Sequence, residues 1–312
     1  MHPRTHCLAA AAAIAALTAR APAQAINPET VYGRDYTFER MVATRDVRDA
    51  KDSGTIRLVT YVWRPVKNDR REVLLFSHGS TGGLSSAPDE PFGSFPALPA
   101  VRYFVARGYT VVAPSRRGRN ESSGAYVEEC SVFTGECTVE EQVPVGERAL
   151  REALLDTYAV IDQLVLGRLV PRDAKILAAG QSRGGFLSLI LAGERPQLVK
   201  GVVNFSGGWY GVTDRLTADE NQRRIRDQQT RLARAAKRTG APTFWMYAAR
   251  DPFYKDGVPQ ELERAWRDGG GRAELVYFAE HALENPHTLT TVPSLWTRRL
   301  DEFLKTLDTP KP

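Results

Sequence analysis

The sequence predicts an α/β protein built on one doubly wound, mostly parallel sheet with an antiparallel N-terminal opening. Two patterns carry that expectation. Six short apolar runs, EVLLFSHG, YTVVAPS, AKILAAGQS, VKGVVNFSG, PTFWMYAA and AELVYFA, are nearly continuous, as strands buried on both faces must be. Between and after them lie helix-period segments at 95–107, 146–166, 183–194, 214–238, 258–268 and 292–307. The opening reads differently: Arg57 to Pro65 and the segment around Tyr36 to Val42 are rich in β-formers, and Asp52-Ser53-Gly54 ahead of the former looks like a turn. No internal repeat or linker divides the mature chain, so residues 26–312 are expected to form one domain.

Ahead of it, Arg4 and two histidines precede an apolar stretch from Cys7 to Leu17, and Ala23-Gln24-Ala25 is a small-x-small cleavage site. Residues 1–25 therefore read as an export signal peptide, with a periplasmic or secreted mature protein. The apolar stretch is too short for a permanent anchor, so no stable membrane insertion is expected. Beyond the signal remain Cys130 and Cys137, an even pair that an oxidising compartment would close into a disulfide. Formal net charge is +5 with a sequence pI near 9.1, but acids and bases are interspersed. That pattern argues against a nucleic-acid partner. No metal site is expected, because no histidine lies near the cysteines.

The chemistry centres on Gly180-Gln181-Ser182-Arg183-Gly184, a G-x-S-x-G pentapeptide directly after the strand AKILAA and before a helix. A sharp strand-to-helix turn needs small residues on both sides of the serine, and it would lift Ser182 Oγ clear of the sheet. A plain turn serine is the competing reading. A serine hydroxyl needs a base, and the base needs orienting. Past the signal only His78, His281 and His287 remain. His78, in FSHGSTGG, belongs to a backbone N–H nest at a strand end. His287 is the favoured base because its longer loop reaches back across the sheet, with His281 the alternative. Asp251, just past the apolar run FWMYAA, is the favoured orienting acid, with Asp256 nearby. The order Ser182, Asp251, His287 is the order this kind of fold uses.

On SHGSTGG, APSRRGRNESSG, GQSRGG, AARDPFY and NPHTL, the chain resembles the α/β-hydrolase fold superfamily. Within it, the likeness is to the dienelactone-hydrolase and prolyl-oligopeptidase type of exported bacterial serine hydrolases. The resemblance implies an acyl-enzyme on Ser182 and an oxyanion hole made by the backbone N–H groups of Ser80 and Arg183. It implies no cofactor. Dienelactone hydrolases proper carry a cysteine nucleophile, so the serine mechanism is carried over and the dienelactone substrate is not. The expected function is ester cleavage of a small-molecule substrate. A peptidase or aminoacyl-amide hydrolase and a catalytically inactive binding protein of the same fold are the alternatives. Arg116, Arg117 and Arg119 are open to a substrate carboxylate or phosphate, but at least two of them are expected to be solvated or paired with glutamates such as Glu121. The Arg-rich segment 214–238 reads either as a short lid or as a surface helix against the sheet edge, its apolar stripe being only Ile225, Leu232, Ala235 and Ala236.

Overall fold

The computed structural model describes residues 36–48, 53–80, 98–128, 130, 132 and 136–308; the expected signal segment lies outside them. Strands β1 (Tyr36–Arg48) and β2 (Ser53–Pro65) pair antiparallel along their whole lengths, from Tyr36 opposite Pro65 to Arg48 opposite Ser53. There follow β3 (Glu72–Ser77), α1 (Leu98–Ala106), β4 (Tyr109–Pro114), α2 (Val139–Val160), β5 (Ile176–Gln181), α3 (Arg183–Glu194) and β6 (Val199–Phe205). The chain continues through α4 (Ala218–Ala236), β7 (Pro242–Ala248), α5 (Val258–Asp268), β8 (Arg272–Phe278) and α6 (Pro293–Asp308). The sheet order is β1-β2-β4-β3-β5-β6-β7-β8, antiparallel through β4 on the β2 side and parallel from β4 to β8.

The apolar runs become the central strands because both faces are covered. On one face, Val73, Ala178, Val202 and Trp245 meet Leu150, Phe186, Leu189, Ile225 and Trp266 from α2 to α5. On the other, Leu74, Leu177, Val203 and Phe244 meet Val101, Phe104, Trp296 and Phe303 from α1 and α6. Helices on both faces hold the strands' carboxyl ends in one line, and the loops beyond those ends carry the functional side chains.

Two helices differ from their expected limits for capping reasons. The α2 helix begins seven residues earlier than Gly146, because Thr138 accepts the Glu141 N–H while Glu141 returns a bond to the Thr138 N–H. Pro144 is carried inside it. The α4 helix starts at Ala218 through the same box, made by Thr217 and Glu220. The α4 helix packs through the apolar stripe expected of it. Its Ile225, Leu232, Ala235 and Ala236 join the core, and buried Gln228 accepts the N–H groups of Trp209 and Tyr210 at 2.7 and 3.3 Å.

Candidate active site

Ser182 stands between β5 and α3 at φ 54°, ψ −126°, a backbone conformation that non-glycine residues rarely hold. Three hydrogen bonds fix it. Its N–H donates to Phe205 O at 2.9 Å, and its carbonyl accepts from Phe186 and Gly208 at 3.1 and 3.2 Å. The flanking glycines are required by close approach: a Cβ on Gly184 would lie 2.0 Å from Ser77 O, and one on Gly180 would lie 2.4 Å from Gly184 C. The first N–H groups of α3 thus face the end of β3, where helices leave donors without intrahelical acceptors. A Cβ on Gly79 would sit 3.2 Å from Ser182 Cβ, so the HG turn lies against the serine, with Ser80 next to it and exposed.

Asp251 follows β7, and its side chain is fully buried. Its Oδ1 accepts the N–H groups of Phe253 and Tyr254 at 2.8 and 3.3 Å, which hold the carboxylate in place. His287 Nδ1 lies 2.9 Å from Asp251 Oδ2 and 3.1 Å from Oδ1. A carboxylate on Nδ1 selects the tautomer with the proton there and leaves Nε2 as the acceptor. The two alternatives are engaged elsewhere. His281 Nε2 donates to Ala249 O at 2.8 Å while its Nδ1 accepts the Leu283 N–H, and Asp256 accepts from the Tyr277 hydroxyl and the Arg250 N–H.

Among the described residues no hydrogen bond joins Ser182 to His287. The two are coupled through their neighbour Gln181, whose Nε2 donates to His287 O at 3.2 Å and whose Oε1 accepts from Thr290 Oγ1 at 2.9 Å. Catalytic hydrogen bonds are often long before substrate arrives and tighten in the complex.

His78 is a structural group. Its Nδ1 donates to Gly79 O at 2.7 Å and its Nε2 accepts the Arg116 N–H at 3.1 Å. Burial, aided by the Arg116 guanidinium, pushes its pKa down to about 3, so the imidazole stays neutral. Arg116 also donates to the carbonyls of His78 and Gly79 at 2.6 and 3.0 Å, tying down the turn that precedes Ser80.

The Arg-rich loop meets the expectation of arginines paired with glutamates, with the difference that Arg116 and Arg117 are buried. Arg116 pairs with buried Glu128, and Arg117 pairs with Glu152 and Asp156 from α2. Glu121 instead meets Arg40 and the Tyr61 hydroxyl, and Arg119 stacks on the Tyr126 ring. Arg183 reaches the same cluster, with Nη1 3.6 Å from Glu128 Oε2 and 3.1 Å from the Tyr126 hydroxyl. These cations, Arg116 first, hold the Glu128 pKa down to about 2 against the cost of burial. Glu128, Gln181, Gln228 and Tyr254 were not singled out in the sequence. Only Glu128 had a visible signal there, as an acid within reach of three arginines.

Cys130 and Cys137 form a disulfide, with Cα atoms 5.8 Å apart. Gln142 Nε2 donates to Cys130 O at 2.9 Å and anchors that loop to α2. Among the described residues no group of three or more His, Cys, Asp or Glu is placed to hold a metal ion, and no helix is long and apolar enough to cross a membrane.

No family model and no curated protein matches this chain. Solved structures do. The Pyrococcus furiosus esterase Pf2001 superposes with a TM-score of 0.54 at 17% identity, covering 90% of this chain and 97% of that one. The fold is that of the α/β-hydrolases. Est1E from Butyrivibrio proteoclasticus, solved with ferulic acid bound, gives a TM-score of 0.54 at 17% identity over 81% of this chain and 96% of its own. The acylaminoacyl peptidase of Pyrococcus horikoshii gives 0.57 at 17% identity over 88% of this chain. This chain spans only 42% of that peptidase. In an α/β-hydrolase fold the strand-to-helix turn after β5 and the loops after β7 and β8 lie at one end of the sheet, and here they carry Ser182, Asp251 and His287.

Proposed function

We propose that this chain is an exported serine hydrolase that cleaves a carboxylic ester through an acyl-enzyme on Ser182. The observation that carries the reading is the buried Asp251–His287 pair, with Nδ1 on the carboxylate, tied through Gln181 to a serine held at positive φ. His287 Nε2 takes the proton from Ser182 Oγ as Oγ bonds to the ester carbonyl carbon, and the carbonyl electron pair moves to oxygen. The backbone N–H groups of Ser80 and Arg183 receive that oxyanion. Collapse expels the alcohol, which takes the proton from His287, and water then repeats the sequence to release the acid. Asp251 stays ionised, holding the tautomer and stabilising the imidazolium. No cofactor enters these steps.

Esterase chemistry is supported by the likeness to two esterases, Pf2001 and Est1E, each at a TM-score of 0.54. Aminoacyl-amide cleavage is the second reading, supported by the TM-score of 0.57 to that peptidase. The disulfide supports export, with residues 1–25 removed as a signal and residues 26–312 as the mature domain. The test is exposure of the purified protein and its Ser182→Ala variant to a fluorophosphonate probe, read by intact mass. One probe mass on the native chain alone, mapped to the peptide holding residues 180–185, is the expected result. An acyl-ester and aminoacyl-amide panel then separates the two activities. Absence of label on the folded native chain overturns the reading in favour of a binding protein.

A further inference from the structure

The phenol of Tyr254 borders both the serine and the histidine. It lies three residues after Asp251 and is 2% exposed, and its hydroxyl lies close enough to the Ser182 side chain to interact with it. Its ring centroid is 5.7 Å from that of His287, inclined at 44°, and 6.1 Å edge-on from that of Tyr247. The Tyr254 N–H donates to Asp251 Oδ1. One residue therefore meets nucleophile, base and acid.

An independent feature marks the place of the hydroxyl. A Cβ on Gly208 would lie 2.5 Å from the Tyr254 oxygen and 2.5 Å from its Cε1, so this glycine leaves the space that the phenol fills. The same Gly208 donates its N–H to the Ser182 carbonyl at 3.2 Å. The phenol end is thus wedged between the serine and the loop that pins the serine's backbone. Burial, with Tyr247 and Asp251 nearby, pushes the phenol pKa well above its ordinary value. The hydroxyl keeps its proton throughout the working range and acts as a hydrogen-bonding group, never as a base.

We infer that Tyr254 is a positioning residue of this reaction, its hydroxyl holding Ser182 Oγ and its ring holding the His287 imidazole in the mutual placement that proton transfer needs. The inference rests on Ser182 being the nucleophile. Without the hydroxyl, Ser182 Oγ is free to take other staggered rotamers on the elbow, and the reactive arrangement is less populated.

The test is Tyr254→Phe, which keeps the ring and removes one oxygen, with Gly208→Ala as a second variant that keeps the hydroxyl but displaces it. The readouts are the second-order rate of fluorophosphonate labelling, kcat and KM on an ester that the native protein turns over, and the thermal midpoint. The expected result for Tyr254→Phe is a labelling rate and kcat lower by about 10- to 100-fold, KM within about threefold and a midpoint close to the native one. Gly208→Ala is expected to lower the labelling rate in the same direction. A labelling rate and kcat for Tyr254→Phe equal to native would overturn the inference and leave the phenol a packing group, with the Ser182 reading intact. A kcat loss matched by an equal rise in KM, or by a collapse of the midpoint, also overturns it. A native chain that takes no label overturns both readings.

Discussion

Lowering the pH from 7 to 5 should weaken this fold through His78 in particular. The buried imidazole has its pKa pushed from the ordinary 6.5 down to about 3, so the folded state does not bind a proton anywhere in that range. The unfolded chain does, at the ordinary value. Because the folded pKa is depressed, the stabilisation is complete above 6.5 and is lost progressively as pH falls towards about 3. Between pH 7 and 5 the size of the loss depends only on the unfolded value, provided the folded one stays well below 5. It amounts to about 2 kcal/mol. The assay is urea unfolding with the disulfide intact, at both pH values, for the native chain and for His78→Asn, whose amide N–H can still donate to Gly79 O. Carboxylate titrations are common to both chains and cancel. The native protein should lose about 2 kcal/mol more than the variant over this interval. Equal pH dependence in the two would refute the neutral, buried imidazole. A further fall below pH 4.5 towards 2 is expected from Glu128, whose depressed pKa makes the same sign argument for a carboxylate.

Two other perturbations address the parts that hold the serine. Gly184→Ala places a methyl group 2.0 Å from Ser77 O and 2.4 Å from His78 O, both backbone atoms, so α3 must move away from β3. Denaturation should show a cost of about 1–3 kcal/mol, and fluorophosphonate labelling should slow by at least about tenfold; native values for both would show that the elbow tolerates a wider spacing. Replacing both Cys130 and Cys137 by Ser opens a loop whose ends are seven residues apart. The chain-entropy relation gives about 2.5 kcal/mol for such a loop, and thermal melts of the native and double-Ser chains, each with and without reductant, measure it. Identical melts would mean that Gln142 and Glu128 hold the segment without the bond.

The fold was legible because its evidence is periodic. Runs such as LLF, VVA and ILAA have no polar face, so only strands covered on both sides accommodate them. The tight turn at Ser182 was legible because a glycine on each side states a steric requirement, and the structure meets it at Ser77 O and Gly184 C. The choice of His287 over His281 rested on loop length; in the structure His281 closes a bond within reach of its own strand end, at Ala249 O, whereas His287 crosses to Asp251. The arginines resisted the same approach. Arg116 and Arg117 are indistinguishable from solvated residues in the string, since their partners Glu128, Glu152 and Asp156 lie 12 to 39 residues away, the last two brought near by the packing of α2. Tyr254 was hidden for a related reason: a residue three places beyond the acid comes near the serine only because β5, β6 and β7 are consecutive in the sheet.

The way these parts are joined explains why buried polar side chains gather at the strand ends near Ser182. Beyond the strand ends the sheet no longer supplies hydrogen-bond partners, so buried loop carbonyls and N–H groups there must find other ones. Arg116 serves the carbonyls of His78 and Gly79 after β3, Gln181 serves the carbonyl of His287 after β8, and Gln228 serves the N–H groups of Trp209 and Tyr210 after β6. Apolar contact is non-directional and would let these loops slide, whereas a hydrogen bond fixes both distance and angle. Each bond contributes only about 1 kcal/mol net to folding, so their main effect is on alignment rather than on stability. The apolar cores on the two sheet faces therefore determine whether this chain folds, and the amides and guanidinium groups at the strand ends determine how the loops beyond them, which carry Ser182, Asp251 and His287, are aligned.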